Sequence, residues 1–307
     1  MKIRIGTRGS KLARWQAEWV ASELSRHGVD TEIIFLKTLG DVKSGPIGNV
    51  GTQGVFTKEI QRALLDEQVD LAVHSLKDLP TEPTAGLCLA AVPPRENCGD
   101  ALIAKHAASL DELPEGAAVA TGSARRRAQL LAYRHDLSVR DLRGNVDTRL
   151  QKLQDGDEQG QIDAIILAEA GLRRLGLQQH ISEVIDKSIM LPAVGQGALG
   201  LETREQDEAT REALQVLDDE TTHQCVVAER AMLFTLRGGC LAPVGAWARQ
   251  EADELRLDGV VLDGEGTRRV AASLTAPPSE CRELGEHVAE ALLQQGASEL
   301  LDSAREA

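Results

Sequence analysis

Short apolar runs typical of strands alternate with helical patterns along most of this chain. The strand-like run at 2–6 leads through a polar turn into apolar residues at helical spacing, and further units follow at 31–75 and 117–168. Such alternation predicts parallel or mixed sheets with helices on both faces. From about residue 243 the order changes to three strand-like runs followed by helices. This last third predicts a separate α+β domain, and 307 residues are enough for two or three domains.

The charge along the chain is uneven. Between Arg125 and Arg149 there are seven arginines and three acidic residues, a net charge of +4 in a chain of formal charge −14. Guanidinium groups bind carboxylates and phosphates through two hydrogen bonds at once, so the segment indicates a bound anion. The first inference is an acidic small-molecule ligand. The alternative is an arginine-rich helix face in contact with solvent.

The position of these arginines favours a binding site. Thr121-Gly122-Ser123 follows the apolar run 117–120, so the first arginines lie where a strand passes into a helix N-terminus, whose free N–H groups attract anions. The loop 143–149 repeats this arrangement after the strand-like run 137–142. Two basic strand-to-helix turns in one unit predict a single pocket.

Other polar residues also stand at the carboxyl ends of predicted strands. Open α/β sheets bind ligands outside these ends. The residues in such positions are Arg8, Ser10, Lys77, Asp78, Ser123, Arg125, Arg126, Arg143 and Arg149. Their convergence predicts a cleft between two similar α/β domains.

Composition excludes several classes of partner. A pI near 5.0 and only seven aromatic residues argue against a nucleic-acid partner, which calls for a basic face and usually for stacking platforms. No run approaches the roughly 20 apolar residues of a membrane span, and Met1 leads directly into a strand, so we expect no membrane contact and a cytoplasmic protein. Five cysteines without a C-x-x-C pair indicate neither a disulfide framework nor a metal site.

Five motifs carry a family resemblance. They are Ile5-Gly6-Thr7-Arg8-Gly9-Ser10 with Trp15-Gln16-Ala17, Val73-His74-Ser75-Leu76-Lys77-Asp78-Leu79-Pro80, Leu142-Arg143-Gly144-Asn145-Val146 with Thr148-Arg149-Leu150, Leu191-Pro192-Ala193-Val194-Gly195-Gln196-Gly197-Ala198, and Gly238-Gly239-Cys240. In order and spacing, over residues 2–246, the chain resembles the porphobilinogen deaminases, also called hydroxymethylbilane synthases. Five motifs in register make this resemblance specific.

The resemblance implies a transferase of tetrapyrrole (porphyrin and heme) biosynthesis. Such an enzyme condenses four porphobilinogen molecules head to tail, releases ammonia at each step, and liberates linear hydroxymethylbilane. It also implies a monomer in which two doubly wound domains of the periplasmic-binding-protein type flank a cleft, with a C-terminal α+β domain. The predicted limits are 1–94 with 198–216, then 99–192, and then 220–307.

The resemblance also implies a dipyrromethane cofactor bound through a thioether to Cys240. The side chains that match the family's cofactor-binding positions are Lys77, Asp78, Ser123, Arg125 and Arg126. The matching substrate-binding positions are Arg8, Ser10, Arg143, Arg149, Arg174 and Gln196. Asp78 is the matching catalytic carboxylate, beside the pyrrole nitrogens.

Each of three assignments has a structural alternative. Cys240 is equally well a buried core thiol, although two preceding glycines favour the close approach of a bulky group. Asp78 alternatively pairs with Lys77 or caps its turn. Gln196 bonds either a ligand or only the backbone of a crossing between domains.

One loop departs from the family pattern. The family commonly has Gly-Gly-Lys-Gly before a Phe, whereas this chain has Gly51-Thr52-Gln53-Gly54 before Val55 and Phe56. An upstream basic position is Asn49, although Lys43 and Lys58 are nearby. The resemblance therefore does not assign an anion-binding role to this loop here.

Two rival functions remain open from the sequence. A cytoplasmic binding protein for an organic polyanion would use the same two-domain cleft, because fold does not determine function. A phosphate or nucleic-acid protein would satisfy the arginines equally well, but no G-x-x-x-x-G-K-[ST] loop accompanies them. Ammonia release from porphobilinogen separates the enzyme from both.

Overall fold

The structure is a computed structural model of the chain, and it describes residues 2–36, 57–239 and 242–306, with side chains as far as 304. The strands are β1 (Lys2–Arg8), β2 (Asp30–Leu36), β3 (Leu71–Ser75), β4 (Leu87–Ala91), β5 (Asp100–Ala104), β6 (Ala118–Ala120), β7 (Ser138–Arg140), β8 (Ala164–Ala168), β9 (Glu183–Ile185), β10 (Leu199–Arg204), β11 (Val244–Glu251), β12 (Glu254–Leu262) and β13 (Arg269–Ala276). The α-helices are α1 (Lys11–Arg26), α2 (Lys58–Leu65), α3 (Ala124–Tyr133), α4 (Val146–Asp155), α5 (Glu169–Arg174), α6 (Glu208–Leu214), α7 (Glu220–Thr235), α8 (Cys281–Gln294) and α9 (Ala297–Glu306).

The first sheet has the strand order β2-β1-β3-β10-β4. β1 is parallel to β2 and β3, while β10 is antiparallel to both β3 and β4. Alternate residues of β3 face opposite sides: Leu71 and Val73 pack with α1, whereas Ala72 packs with Leu64 of α2. Helices therefore cover both faces of this sheet.

The second sheet repeats this plan, with the order β7-β6-β8-β5-β9. β6 is parallel to β7 and β8, and β5 is antiparallel to β8 and β9. Ile166 of β8 packs with Leu130 of α3 on one face, while Ile165 packs with Leu153 of α4 on the other. The prediction of two similar α/β units is confirmed.

The third sheet is an antiparallel meander in the order β11-β12-β13. Helices α7, α8 and α9 cover one face, where Met232, Leu257 and Val288 belong to one buried cluster. The predicted α+β character of the last third is therefore also confirmed.

The chain crosses between the first two sheets twice, and both crossings meet one buried carboxylate of α7. Glu229, fully buried, accepts hydrogen bonds from Arg95 Nη1 at 2.7 Å on the first crossing and from the Gly195 backbone N–H at 2.7 Å on the second. It also accepts one from the Ala248 N–H of β11 at 2.9 Å. The third unit is thus bonded to both connections between the other two.

Within the part of the chain that the structure describes, no helix combines the length and the apolar character needed to span a membrane.

Candidate functional site

The site begins at the turn that follows β3. A single 3-10 turn spans Leu76–Asp78, and the Leu79 N–H donates to the Leu76 carbonyl at 3.1 Å. Leu76 and Leu79 are buried in a small apolar cluster that includes Val226 of α7. These two anchors fix the turn, and the half-buried Lys77 and Asp78 stand between them.

A cavity lies beside this turn, where all three units meet. It is lined by Leu76, Lys77, Leu79, Pro80, Thr81, Ser123, Arg125, Ala193, Val194, Leu233, Gly238, Gly239, Ala242 and Val244. The lining therefore includes residues on either side of position 240 together with three of the predicted ligand-binding side chains. Cys240 itself lies outside the described residues, as do Asn49 and the loop 40–54.

Gly238 has a packing role that the sequence did not indicate. A Cβ added at Gly238 would lie 2.6 Å from Cδ1 of Leu233, which is too close for a side chain. A side chain at position 238 would therefore require the Leu233 side chain, near the end of α7, to shift.

The second basic contribution comes from the turn between β6 and α3. Glycine is required at 122, because an added Cβ would lie 2.5 Å from the Leu142 carbonyl oxygen. Ser123 then caps α3, its Oγ accepting a hydrogen bond from the Arg126 N–H at 3.5 Å. Arg125 and Arg126 occupy the first turn of α3 and are only 4% and 5% exposed.

These two arginines share Asp100, a fully buried residue at the start of β5. Arg125 Nη1 lies 2.6 Å from Asp100 Oδ2, and Arg126 Nε lies 2.8 Å from Oδ1. Burial alone would raise the pKa of the Asp100 carboxyl, but the charges of Arg125 and Arg126 outweigh it and hold that pKa far below its usual range. Asp100 was not among the predicted site residues.

The cluster is not balanced within itself. Two buried guanidinium groups meet one carboxylate, which leaves a net positive charge. In addition, Arg125 Nε is buried and has no hydrogen-bond partner among the described residues. A cation with an unused N–H on a residue that lines a cavity is suited to an anionic ligand.

Lys77 and Arg149 show the same excess of positive charge. Burial and the nearby Arg126 lower the pKa of Lys77 from 10.5 to about 8, while Asp78 opposes the change. Burial, Arg126 and Arg143 lower the pKa of Arg149 from 12.5 to about 10, and Asp78 again opposes it. Arg126 and Asp78 therefore lie within electrostatic range of both Lys77 and Arg149.

The turn before α4 places Arg143 and Arg149. Asn145 caps α4, with Oδ1 accepting from the Thr148 N–H at 2.9 Å, and Arg149 Nε donates to the Gly144 carbonyl at 2.8 Å. Gly144 has φ +119°, a backbone conformation that favours glycine. Arg143 is exposed, and its Nη2 lies 4.0 Å from Asp141 Oδ2, which is a long distance for an ion pair. This contact therefore holds the Arg143 side chain only weakly.

Arg174 and Gln196 lie at the second crossing. Arg174 Nη2 donates to the Gly197 carbonyl at 2.7 Å, and its guanidinium is 5.9 Å from the ring of Trp15. Burial lowers the pKa of Arg174 to about 10, opposed by Glu96. Gln196 Nε2 donates to the Cys98 carbonyl at 2.8 Å and to Asp100 Oδ1 at 2.9 Å, so its side chain bonds the start of the second unit.

Arg8 and Ser10 lie at the carboxyl end of β1. Arg8 is the last residue of the strand, and Ser10 caps α1 with Oγ accepting from the Ala13 N–H at 3.3 Å. They occupy the same edge of the first sheet as the turn after β3, because β1 and β3 are parallel.

The remaining arginines of the basic segment have structural partners. Arg127 is 3.1 Å from Glu265, Arg134 is 2.7 Å from Asp136, and Arg140 is 3.6 Å from Asp157. These three arginines are partly buried and paired, whereas Arg125 and Arg126 of α3 are buried.

Comparison with known proteins gives matches over nearly the whole chain. The family model described as "Porphobilinogen deaminase, dipyromethane cofactor binding domain" matches residues 3–212, and the "Porphobilinogen deaminase, C-terminal domain" model matches residues 223–294. A porphobilinogen deaminase of Chlorobium chlorochromatii (strain CaD3) is 46% identical over 311 aligned positions, covering 99% of this chain and 98% of the relative. One of Geobacter sulfurreducens (strain ATCC 51573 / DSM 12127 / PCA) is 44% identical, covering 98% and 94%.

Solved structures give more distant matches. The methionine-binding protein MetQ is 17% identical with a TM-score of 0.44, covering 75% of this chain and 93% of that protein.

Proposed function

The chain belongs to the porphobilinogen deaminase family, and we propose that it acts as a hydroxymethylbilane synthase whose active site is the cavity between its three units. The enzyme is a transferase of tetrapyrrole biosynthesis. It condenses four porphobilinogen molecules head to tail, releases ammonia at each step, and liberates linear hydroxymethylbilane. The observation that carries the proposal is a cavity lined both by Lys77, Ser123 and Arg125 and by the residues beside position 240.

The protein carries a dipyrromethane cofactor, and the residues present fit it. Each pyrrole of this group bears acetate and propionate side chains, and the cavity offers a lysine, a serine hydroxyl and an arginine with an unused Nε. We assign the thioether to Cys240, which in the sequence stands between the lining residues Gly239 and Ala242. Lys77, Ser123, Arg125 and Arg126 would hold its carboxylates. When bound, the group supplies the free α-carbon to which the first porphobilinogen is joined.

Asp78 is the proposed catalytic carboxylate. When the aminomethyl nitrogen of porphobilinogen, protonated as ammonium, leaves as neutral ammonia, its C–N bond breaks and the positive charge stays on the substrate as a methylene-pyrrolenine, which a nearby negative charge stabilises. At about 4 Å and an effective dielectric near 20, this attraction is about 4 kcal/mol, or nearly a factor of 1,000 in rate. The Asp78 oxygens also accept and return the protons that the pyrrole nitrogens and α-carbon exchange.

Basic residues of the second unit and of β1 bind the incoming substrate in this proposal. Arg149 lies within electrostatic range of both Arg143 and Asp78, and Arg174 bonds the Gly197 carbonyl of the second crossing. Arg8 and Ser10 approach from the carboxyl end of β1. Gln196 fixes the crossing through its bonds to Cys98 and Asp100, and so supports the site beside any contact with substrate.

The experiment that tests this function measures mass and ammonia together. We expect the purified chain to exceed its sequence mass by one dipyrromethane and the Cys240→Ala variant to lack that addition. With porphobilinogen, the wild-type protein should release four ammonia molecules for each hydroxymethylbilane, whereas Asp78→Asn should keep the added mass and lose about 1,000-fold in turnover. Stoichiometric binding of porphobilinogen without ammonia release would instead identify an anion-binding protein.

Three further statements belong to the same proposal. We take residues 1–94 with 198–216, 99–192 and 220–307 as its domains, one for each sheet with its helices. We propose a monomer, supported by the scattering of the large exposed apolar side chains over separate elements, as with Leu65, Val216 and Leu293. Light scattering on the purified protein measures the oligomeric state.

We also propose a cytoplasmic location, which the four unpaired cysteines of the described ranges fit.

A further inference from the structure

Helix α7 of the third unit is hydrogen-bonded to the segment that directly follows Asp78. Arg230 Nη1 donates to the Leu79 carbonyl at 3.0 Å, and Nη2 donates to the Pro80 carbonyl at 2.7 Å. These are the two carbonyls that directly follow Asp78 in the chain. A planar guanidinium fork reaches two adjacent acceptors at once, which a lysine ammonium on a flexible stem does not do with the same geometry.

An apolar contact accompanies this polar one. Val226 lies one helical turn before Arg230 on the same face of α7, and it is fully buried against Leu76 and Leu79. Through Val226 the helix packs against both ends of the 3-10 turn. Through Arg230 it bonds the two residues that follow the turn.

The helix that holds the turn is itself fixed. The residue before Arg230 is Glu229, whose carboxylate is bonded to both crossings and to β11. Because α7 is fixed in this way, Arg230 can hold the turn that carries Asp78 in place and does not move with it.

The far end of the same helix leads to the proposed cofactor cysteine. From Arg230 to the last residue, Thr235, the helix rises about 8 Å. It is closed by hydrogen bonds from the Arg237 N–H to the Phe234 carbonyl and from the Gly238 N–H to the Leu233 carbonyl. Gly238 and Gly239 then line the same cavity as Leu79 and Pro80.

We propose that Arg230 is a positioning residue of the reaction, which sets the distance between the Asp78 carboxylate and the chain tethered at Cys240. The inference rests on the proposed function, because it takes Asp78 as the catalytic group and Cys240 as the attachment point. Arg230 acts through the Leu79 and Pro80 carbonyls and not by contact with substrate. Its loss therefore lowers kcat and leaves KM almost unchanged, because the arginines that bind carboxylates keep their places.

The test compares Arg230→Gln and Arg230→Lys with two control variants. Arg282→Gln makes the same charge change at an exposed position of α8, and Val288→Ala weakens the core of the third unit far from the turn. At 25 °C we expect Arg230→Gln to lower kcat by about 10- to 100-fold with KM within twofold, since misplacement by about 1 Å is enough for such a loss. Arg230→Lys should recover part of kcat, and both controls should keep the wild-type rate.

Several outcomes would overturn the proposal. One is a kcat for Arg230→Gln within twofold of the wild type, and another is an equal loss in Val288→Ala, which would make the effect one of stability. A raised KM with an unchanged kcat would make Arg230 a substrate-binding residue. If Arg230→Gln does not fold, Arg230→Lys alone decides, because loss of one arm of the fork should still lower kcat at constant KM.

Failure of this inference is distinguishable from failure of the proposed function. Intact mass shows whether each variant carries the cofactor, and the wild-type protein and Asp78→Asn show whether the assigned chemistry occurs. An active wild type, a slow Asp78→Asn and an unimpaired Arg230→Gln would reject only the positioning role.

Discussion

At the scale of single residues, one buried carboxylate determines where two of the site's cations lie. Asp100 holds Arg125 and Arg126 at once and is itself bonded to Gln196 of the second crossing. Because one carboxylate binds two guanidinium groups, Asp100 fixes the positions of Arg125 and Arg126 and leaves a net positive charge. A site that binds several carboxylates needs this combination of fixed geometry and remaining charge.

Lys77 offers a pH-dependent measure of that remaining charge. Its pKa is lowered to about 8 by burial and by Arg126, so the cofactor-free Cys240→Ala variant should show half-maximal labelling of Lys77 by an amine reagent near pH 8. A carboxylate beside Lys77 favours the ammonium form, so the midpoint should move to higher pH in the cofactor-bearing protein. Peptide mass spectrometry measures both midpoints, with the exposed Lys11 as internal comparison.

The sign of the accompanying stability change follows from proton binding. Between pH 8 and 10.5 the unfolded chain binds more protons at Lys77 than the folded cofactor-free chain does. This group therefore makes the cofactor-free protein more stable as pH rises through that interval. Identical labelling midpoints with and without cofactor would contradict a carboxylate partner for Lys77.

At the scale of elements, the turns matter more than the helices and strands they join. The turn between β6 and α3 places Ser123 and Arg125 at the cavity, and it depends on the close approach of Gly122 to the Leu142 carbonyl. The turn after β3 depends on two apolar anchors and on α7.

Replacement of Gly122 tests the first of these turns. We expect Gly122→Ala to lower the free energy of unfolding by about 1–3 kcal/mol, because its Cβ would meet a backbone oxygen that cannot rotate away. The shift of Ser123 and Arg125 should also weaken porphobilinogen turnover. Urea unfolding and steady-state kinetics measure the two effects.

The matched control is Gly264→Ala, where an added Cβ has no neighbour within 4 Å. Its stability and activity should stay close to those of the wild type. Equal effects in the two variants would show that the cost is one of glycine replacement in general and not of this close approach.

The sequence predicted elements best where the pattern was local. The strand-like run at 2–6 lies within β1, Lys2–Arg8, and the helix predicted to follow Ser123 begins at Ala124. β9 was missed because it has three residues and is defined by its pairing with β5, where Ile185 lies opposite Asp100. Such an edge strand depends on contacts between distant segments, which local periodicity does not contain.

The same reason explains the prediction of the site. Strand ends and arginine spacing indicated the cationic residues, because those signals lie within one stretch of sequence. Asp100 gave no such signal: an acidic residue beside the apolar run 101–104 looks like an ordinary strand end, and its partners are 25 and 26 residues away. Only the folded sheet reveals that it is buried.

At the scale of the whole molecule, the cavity brings like charges together from separate units. Lys77 comes from the first unit, and Arg125, Arg126 and Arg149 come from the second. Their repulsion opposes closure of the cleft unless an anion lies between them. An exposed ion pair between Lys11 and Asp147, 2.8 Å apart, adds little to hold these units together.

Removal of the cofactor should therefore destabilise the molecule. We expect Cys240→Ala to unfold at a temperature about 5 °C or more below the cofactor-bearing protein, because the carboxylates of the tethered group can pair with the buried cations only in the folded state. Sulfate should restore part of the difference by binding where the positive charge of Lys77, Arg125, Arg126 and Arg149 exceeds that of the nearby carboxylates, and calorimetry measures each transition. Chloride at equal ionic strength is the control, and equal gains from both salts, or an equal gain in the wild type, would contradict a specific anion site.

The bonding of Glu229 to both crossings has a consequence for how a growing product is accommodated. If the first and second units rotated relative to each other, the rotation would occur at the two crossings that connect them. Residues at a hinge move less than residues far from it. Because the helix that bears Glu229 also leads toward position 240, the attachment point would move little if the first two units moved relative to each other. Each new pyrrole would then lengthen a pyrrole chain whose attached end stays in place. The added length would extend into the space between the first and second units.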